Sequence, residues 1–455
     1  MRVLITVFPS TAHFLPLVPY AWALQSAGHE VCFATPPGYP TGVAVPEFDT
    51  VITSAGLNAV ICGQPAPLSM HDRAYPGFAN LLPNRAETER HVAQLGIDNP
   101  TDRATWDLFY HFAMLTIRDY HPPTPRQDIN AVIDFARDWQ PDLVLWEPWF
   151  PVGGVAARVA GAAHARVLLA PDYTAWGHER FISRGRPSIL AEAMRPLAEH
   201  HGIHVDDNLL FGDRTIDPLP AAMQVDTTVH RIPSRYVPYT GVVEQQTWLR
   251  EPPKRPRIAI TLGVSTRMFV KGDWGRTAKL MEAVADLDIE VVATLNDNQL
   301  LDLPHGLPDN VRTFDYVPLD QLLPTCSALI SHGSIATVIA AASKGVPQLV
   351  CDTDEPTRVY GSATDDGIDW EFRCHRHLYS ATTSQYLARH GAGLRLNHQT
   401  QTAQDIRDQL RRVLNEPSFR TGAAALRDEW LAPPSPADLV PTLEQLTAER
   451  RGAAW

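Results

Sequence analysis

Two Rossmann-like α/β domains, each built on a doubly wound parallel sheet, are predicted by three observations on the 455-residue chain. The length allows two or three cores at roughly 150 residues per domain. Strand-like apolar runs alternate with helical patterns through residues 1–235, and the alternation restarts at residue 257. Between them, VPYTGVVEQQTWLREPPKRPR is rich in proline and charge and weak in periodicity, which reads as an interdomain linker over 236–256.

The first domain opens with a strand at Val3–Val7, a turn through Phe8–Ala12, a helix to about Ala27, Gly28 as its stop and a strand at Glu30–Ala34. Further strands are predicted at Leu143–Trp146 and Val167–Ala170, with a helix over Gly153–Ala160 between them. In the second domain, 257–432, strands are predicted at Ile258–Thr261, Ile289–Thr294, Val311–Asp315, Ala328–Ser331 and Gln348–Cys351. The last stretch, 433–455, follows Pro-Pro-Ser-Pro and reads as a polar tail helix carrying Leu439, Leu443 and Leu446. Ligands of such sheets bind at the carboxyl ends of the strands, here in a cleft between the two domains.

Composition narrows the function. Hydrophobic residues at 44% and charged residues at 20% describe a globular chain, and the 39 prolines predict many rigid loops. A net charge of −12 repels a phosphate backbone, so nucleic acid is excluded as a default partner. The five cysteines are odd in number, widely spaced and free of C-x-x-C pairs, which fits a reducing cytoplasm. The apolar N-terminus contains three prolines and no A-x-A site and is taken as strand and helix, not as a signal peptide. No proline- and charge-free run approaches the roughly 18 residues of a membrane span.

The strongest local signal is LISHGSIATVIAAASKGVPQLVCDTDEP, residues 329–356. A strand ends at Ser331, His332-Gly333-Ser334 turns, and a helix begins at Ile335. That arrangement aims free N–H groups and the positive end of the helix dipole at one spot, as a diphosphate requires. After the next strand, Asp354-Glu355 sits where carboxylates accept hydrogen bonds from sugar hydroxyls. On spacing alone an ordinary β-α-β unit with a polar loop fits equally well.

HGSIAT followed by GVPQLV and DEP resembles the donor-binding signature of family 1 glycosyltransferases, usually H-H-G-G-A-G-T then G-V-P-Q. Ser331, Ser334 and Ile335-Ala336 depart from it, while His332, Gly333 and Thr337 keep their places. WDLFYHFAML, QPDLVLWEP, HARVLLAPD, RTIDPLPAAMQVDT, ITLGVSTR, NVRTFDYVPLDQLLPTC and PSPADLV are similar to the deoxysugar transferases of macrolide and anthracycline biosynthesis, erythromycin desosaminyltransferases above all. The likeness covers nearly the whole chain. It implies the GT-B fold, an acceptor-binding N-terminal domain, a C-terminal domain for a TDP-sugar co-substrate, and inverting transfer with no cofactor and no metal.

Carried over by position, the resemblance puts Gly263 and Ser265 near the diphosphate and the Val317 backbone at the thymine edge. His332, Gly333, Ser334 and Thr337 then hold the phosphates, and Asp354 and Glu355 face the sugar. His13 takes the place of the family's catalytic base, and an ordinary histidine pKa of about 6.5 suits that task. Without the resemblance, a lone histidine there is more often a cap or a surface residue. A carboxylate normally orients such a base, and Glu147 or Asp107 could do so.

Two other stretches carry expectations. YGSATDDGIDWEFRCHRHLYSATTSQYLARHGAG is longer than the family's usual connection between the acidic pair and the next Gly-Ala-Gly and reads as a cleft-edge or interface insertion; Cys374, His375 and His377 within it lack a fourth zinc ligand. His164, Arg166 and Asp172 match part of a pattern that receives a cytochrome-P450-like activator in auxiliary-dependent relatives, but His178 and Arg186-Pro187 do not. The expected partners are a nucleotide sugar and a polyketide-type aglycone, with a P450-like protein and a homodimer left open. The alternatives are a GT-B sugar-nucleotide epimerase and a non-catalytic partner protein.

Overall fold

The computed structural model describes residues 1–37, 47–64, 85–114, 117–118, 126–244, 246–263, 276–300, 303, 306–355, 358–364, 367–373 and 375–453. They form two units, one of Met1–Gly241, Arg358–Arg373 and Pro434–Trp455, the other of Val242–Thr357 and Cys374–Pro433.

The first unit holds a seven-stranded parallel sheet. Its strands are β1 Arg2–Thr6, β2 Glu30–Thr35, β3 Asn58–Ile61, β4 Leu143–Trp146, β5 Ala163–Val167, β6 Arg214–Asp217 and β7 Arg231–Pro233, in the order β3-β2-β1-β4-β5-β6-β7. Central strands such as β4 are buried end to end, because elements cover both faces, so they read as continuous apolar runs. The predicted first helix is broken into Thr11–Phe14, a 3-10 turn at Leu15–Leu17, and Val18–Ser26. Pro16 and Pro19 each sit in the first turn of a piece, where their missing N–H costs nothing.

One strand shifts, and two other segments take definite form. The strand placed at Val167–Ala170 lies at Ala163–Val167, hidden from an apolar reading by the polar but fully buried His164 and Arg166. The tail helix expected within 433–455 runs over Val440–Ala453; Leu439 just before it and Val440, Leu443 and Leu446 on it join the core that holds Val3, Ile5 and Leu145, and burying each of these side chains stabilises the unit by about 1.5–3 kcal/mol. The insertion at 358–373 forms an antiparallel hairpin, β13 Arg358–Thr364 with β14 Gly367–Arg373. It belongs to the first unit, beside the helix Pro100–Phe109, although its sequence interrupts the second.

The second unit carries a six-stranded parallel sheet of β8 Arg257–Thr261, β9 Glu290–Thr294, β10 Val311–Phe314, β11 Ala328–Ser331, β12 Gln348–Asp352 and β15 Gly393–Asn397, ordered β10-β9-β8-β11-β12-β15. Ile258 and Ile260 enter one core and Ala259 the other, as period-two alternation requires. In both sheets the order reverses beside the first strand, with the first and fourth strands paired. Thr6 lies opposite Trp146, and Thr261 opposite Ser331. The loops leaving those ends emerge side by side, where doubly wound sheets bind ligands. Among the described residues no helix is long and apolar enough to cross a membrane.

Candidate active site

In the first unit the two loops at the reversal point bring together His13, on the turn of helix after β1, and Glu147, the residue after β4. His13 Nδ1 lies 3.2 Å from Glu147 Oε1, at ion-pair distance but not aligned as a hydrogen bond. The Glu147 carboxylate is fully buried. Its Oε2 accepts the Trp149 N–H at 2.7 Å and its Oε1 the Phe8 N–H at 3.4 Å, so backbone donors fix it in place. The rings of Phe8 and Trp149 pack against the imidazole, with centroids 5.2 and 5.0 Å away. Its side chain keeps 13% exposure. The arrangement is a histidine aimed by a carboxylate through Nδ1, which leaves Nε2 to take a proton.

Asp107 is elsewhere. It sits in Pro100–Phe109 with both oxygens 3.0 Å from Arg103 Nε, and burial pushes its carboxyl up to about 6 against the pull of Arg103. Of the two carboxylates that sequence left open, only Glu147 contacts His13.

In the second unit, Gly263 and His332 leave β8 and β11 in the same way. Gly263 has φ +83°, and a Cβ there would lie 2.6 Å from His332 Nε2, so only glycine admits the ring. His332 Nδ1 lies 3.4 Å from the Thr261 carbonyl, which accepts its proton. Burial pushes the imidazole well below its ordinary pKa, and the neighbouring His377 and Arg276 add to the shift. Gly333, at φ +82°, lets the turn pass between Val350 and Ser380, where a Cβ would lie 2.6 Å from Val350 Cγ1. The helix Ile335–Ala342 then begins, capped by Ser334 Oγ, which accepts the Thr337 N–H at 3.3 Å and donates to Thr337 Oγ1 at 2.9 Å. Ser334 and Thr337 therefore serve each other, and the first-turn N–H groups of Ile335 and Ala336 have no acceptor within the helix.

Ser265 lies outside the described residues. The Val317 side chain is buried in the core with Leu322 and Leu323. Asp354 is exposed and held by Arg395 at 2.6 Å and Asn397 at 2.9 Å; Arg395 keeps its carboxyl below the usual range. Glu355 is exposed, 3.8 Å from His375 Nε2. Sequence reasoning passed over Arg276, buried at the start of the helix Arg276–Val284, and Arg395, which also binds Asp352 at 2.9 Å. A lone arginine opening a helix gives no motif to find.

The partial activator pattern has internal uses. Arg166 and Asp172 are buried and paired at 2.5 Å, and Thr174 and Thr215 complete the network. His164 Nε2 donates to Asn208 Oδ1 at 3.2 Å, while its Nδ1 accepts from the Trp146 indole.

Two parallel sheets of this order in one chain, a histidine–carboxylate pair at the switch point of one and a glycine-lined strand–turn–helix at that of the other, define a glycosyltransferase of the GT-B fold. Its solved relatives include the glycosyltransferase VinC in complex with DTDP, at 30% identity and a TM-score of 0.74, covering 99% of this chain and 100% of that one. The chain belongs to the erythromycin biosynthesis protein CIII-like family, whose N-terminal domain matches residues 22–263 and whose C-terminal domain matches residues 278–367 and 377–446. It is 39% identical to the aclacinomycin-T 2-deoxy-L-fucose transferase of Streptomyces galilaeus, over 99% of this chain and 97% of the relative. It is 36% identical to the 10-deoxymethynolide desosaminyltransferase of Streptomyces venezuelae, over 99% and 98%.

Proposed function

We propose that the chain moves a deoxysugar from a TDP-sugar to a hydroxyl of a polyketide-type aglycone, with inversion and without metal, as a cytoplasmic step of antibiotic assembly. The observation that carries the mechanism is the His13–Glu147 pair: a buried, doubly anchored carboxylate 3.2 Å from Nδ1 of a partly exposed imidazole. His13 Nε2 takes the proton of the attacking hydroxyl as its oxygen bonds to the anomeric carbon. The anomeric carbon–oxygen bond breaks, and its electron pair leaves on the β-phosphate. Negative charge grows there, and the turn at His332–Ala336 offers N–H groups and a helix dipole to meet it. Glu355, exposed and without a short partner, is better placed than Asp354 to accept a sugar hydroxyl.

Reverse transfer tests this reading. The protein is incubated with TDP and a panel of glycosylated polyketides, and mass spectrometry seeks TDP-sugar and aglycone together. Their appearance supports the assignment, and silence across the panel removes it. Activity of the chain alone is the expected result, because Arg166 and Asp172 are spent on each other. Adding a P450-like protein, with size-exclusion chromatography of the mixture, distinguishes lone chain, homodimer and complex.

A further inference from the structure

The donor-side turn does not stand alone. The segment after the hairpin returns to it: Thr383 Oγ1 donates to the Gly333 carbonyl at 3.0 Å, and Ser380 fills the space a side chain at Gly333 would need. That return places the His377 ring edge-to-face with His332, centroids 4.9 Å apart and planes at 85°. The two rings differ in what their nitrogens already do. The neutral His332 ring carries its proton on Nδ1, where the Thr261 carbonyl accepts it, so its Nε2, packed against Gly263, is an acceptor. His377 is the reverse. Its Nδ1 accepts the Tyr379 N–H at 3.3 Å, which puts the proton on Nε2 and makes that nitrogen a donor.

The surroundings favour an anion. His377 is half-buried, and no carboxylate pairs with it or with His332 among the described residues. The buried Arg276 raises the positive potential at His332, His377 and His398 alike. The buried carboxylate Asp352 is engaged by Arg376 at 3.0 Å, Arg395 at 2.9 Å and Ser380 at 2.6 Å. His398 is buried as well, and Lys279 donates to its carbonyl at 2.6 Å. Imidazole groups and positive potential thus gather around one turn, and among the described residues no carboxylate pairs with either of its two facing rings.

We propose that His377 is a second histidine of the donor site, its Nε2–H binding the diphosphate of the nucleotide sugar alongside the turn His332–Ala336. The inference rests on the reading of that turn as the diphosphate site. It also gives the long insertion a consequence: the chain leaving the hairpin at Arg373 delivers a diphosphate ligand four residues later.

The test is calorimetric titration of the full-length protein with TDP, paired with saturation-transfer NMR of thymidine, for wild type, His377→Phe and His377→Gln. Phenylalanine keeps the edge-to-face packing and removes the donor, while glutamine restores a donor. The expected result is about tenfold weaker TDP binding for His377→Phe, the size of one lost hydrogen bond to a charged group. Thymidine binding should be unchanged, and affinity largely recovered in His377→Gln. TDP affinity equal to wild type in His377→Phe, or equal losses for TDP and thymidine, overturns the role of His377 and leaves the turn's assignment intact. A wild-type protein that does not bind TDP at all overturns both.

Discussion

The same two loops of the same sheet topology carry opposite kinds of residue in the two units. After the first strand, one unit places His13 and the other Gly263; after the fourth, one places Glu147 and the other His332. In the first unit the crevice collects an acid–base pair, and a buried carboxylate aims the imidazole. In the second, one position gives up its side chain altogether, and the histidine opposite it packs against His377, with Arg276 adding positive potential. A base needs a counter-charge to receive a proton, whereas a diphosphate site needs space, N–H donors and uncompensated positive potential.

Breaking the first pair should have the largest effect. His13→Ala is expected to lower turnover by about 10²–10⁴-fold, the usual worth of a general base, in a steady-state transfer assay. Glu147→Gln removes the charge and leaves one acceptor oxygen for two backbone donors, and should cost about 10- to 100-fold in kcat. Asp107→Asn is the control, since Asp107 serves Arg103 and does not touch His13, and turnover within about threefold of wild type is expected. An Asp107→Asn loss as large as that of Glu147→Gln would mean the wrong carboxylate has been matched to His13.

On the other side, Gly263→Ala forces a Cβ into His332 at a positive φ. Left-handed backbone costs a non-glycine residue about 1–2 kcal/mol, so TDP binding should weaken about tenfold, with thermal stability reduced as well. Unchanged affinity by titration would show that the close approach of His332 to Gly263 does not matter to the ligand.

The smallest effect is a pH dependence. Burial, with Arg276 adding to it, pushes His377 down to about 4 and His398 to about 3, and His332 falls well below 6.5. For each, the unfolded state binds more protons than the folded state between the depressed value and about 6.5, so stability is full above 6.5 and is lost as pH falls toward 4. Hydrogen exchange, corrected for intrinsic rates, should show residues 332–342 and 375–389 losing protection from pH 7 to pH 5, with TDP restoring it. Equal protection at both pH values would contradict the buried neutral histidines.

Much of this was legible in the chain. The helix Ile335–Ala342 and strands β4 and β11 fall where their apolar runs and turn residues place them, and Gly263, Gly333 and His332 stand in local motifs. Other parts depend on chain segments far apart in sequence. Glu147 and Asp107 are equivalent as letters, and only the pairing of β1 with β4 brings one of them to His13. Arg276 and His377 meet His332 across more than 40 residues in each direction, and Leu443 shares a core with Val3 only because the C-terminal helix returns to the first sheet. Strand β5 was misplaced because its polar residues are satisfied inside the fold, where hydropathy cannot see the partners.

The division of labour between the two crevices is tested most directly by titrating TDP into EDTA-treated His13→Ala and His332→Ala proteins side by side. His13→Ala should bind as wild type does, without added metal, and His332→Ala about tenfold or more weakly, since its loss removes both a ring of the cluster and the support of the turn. Equal weakening in both variants, or binding that appears only when magnesium is restored, would contradict the account.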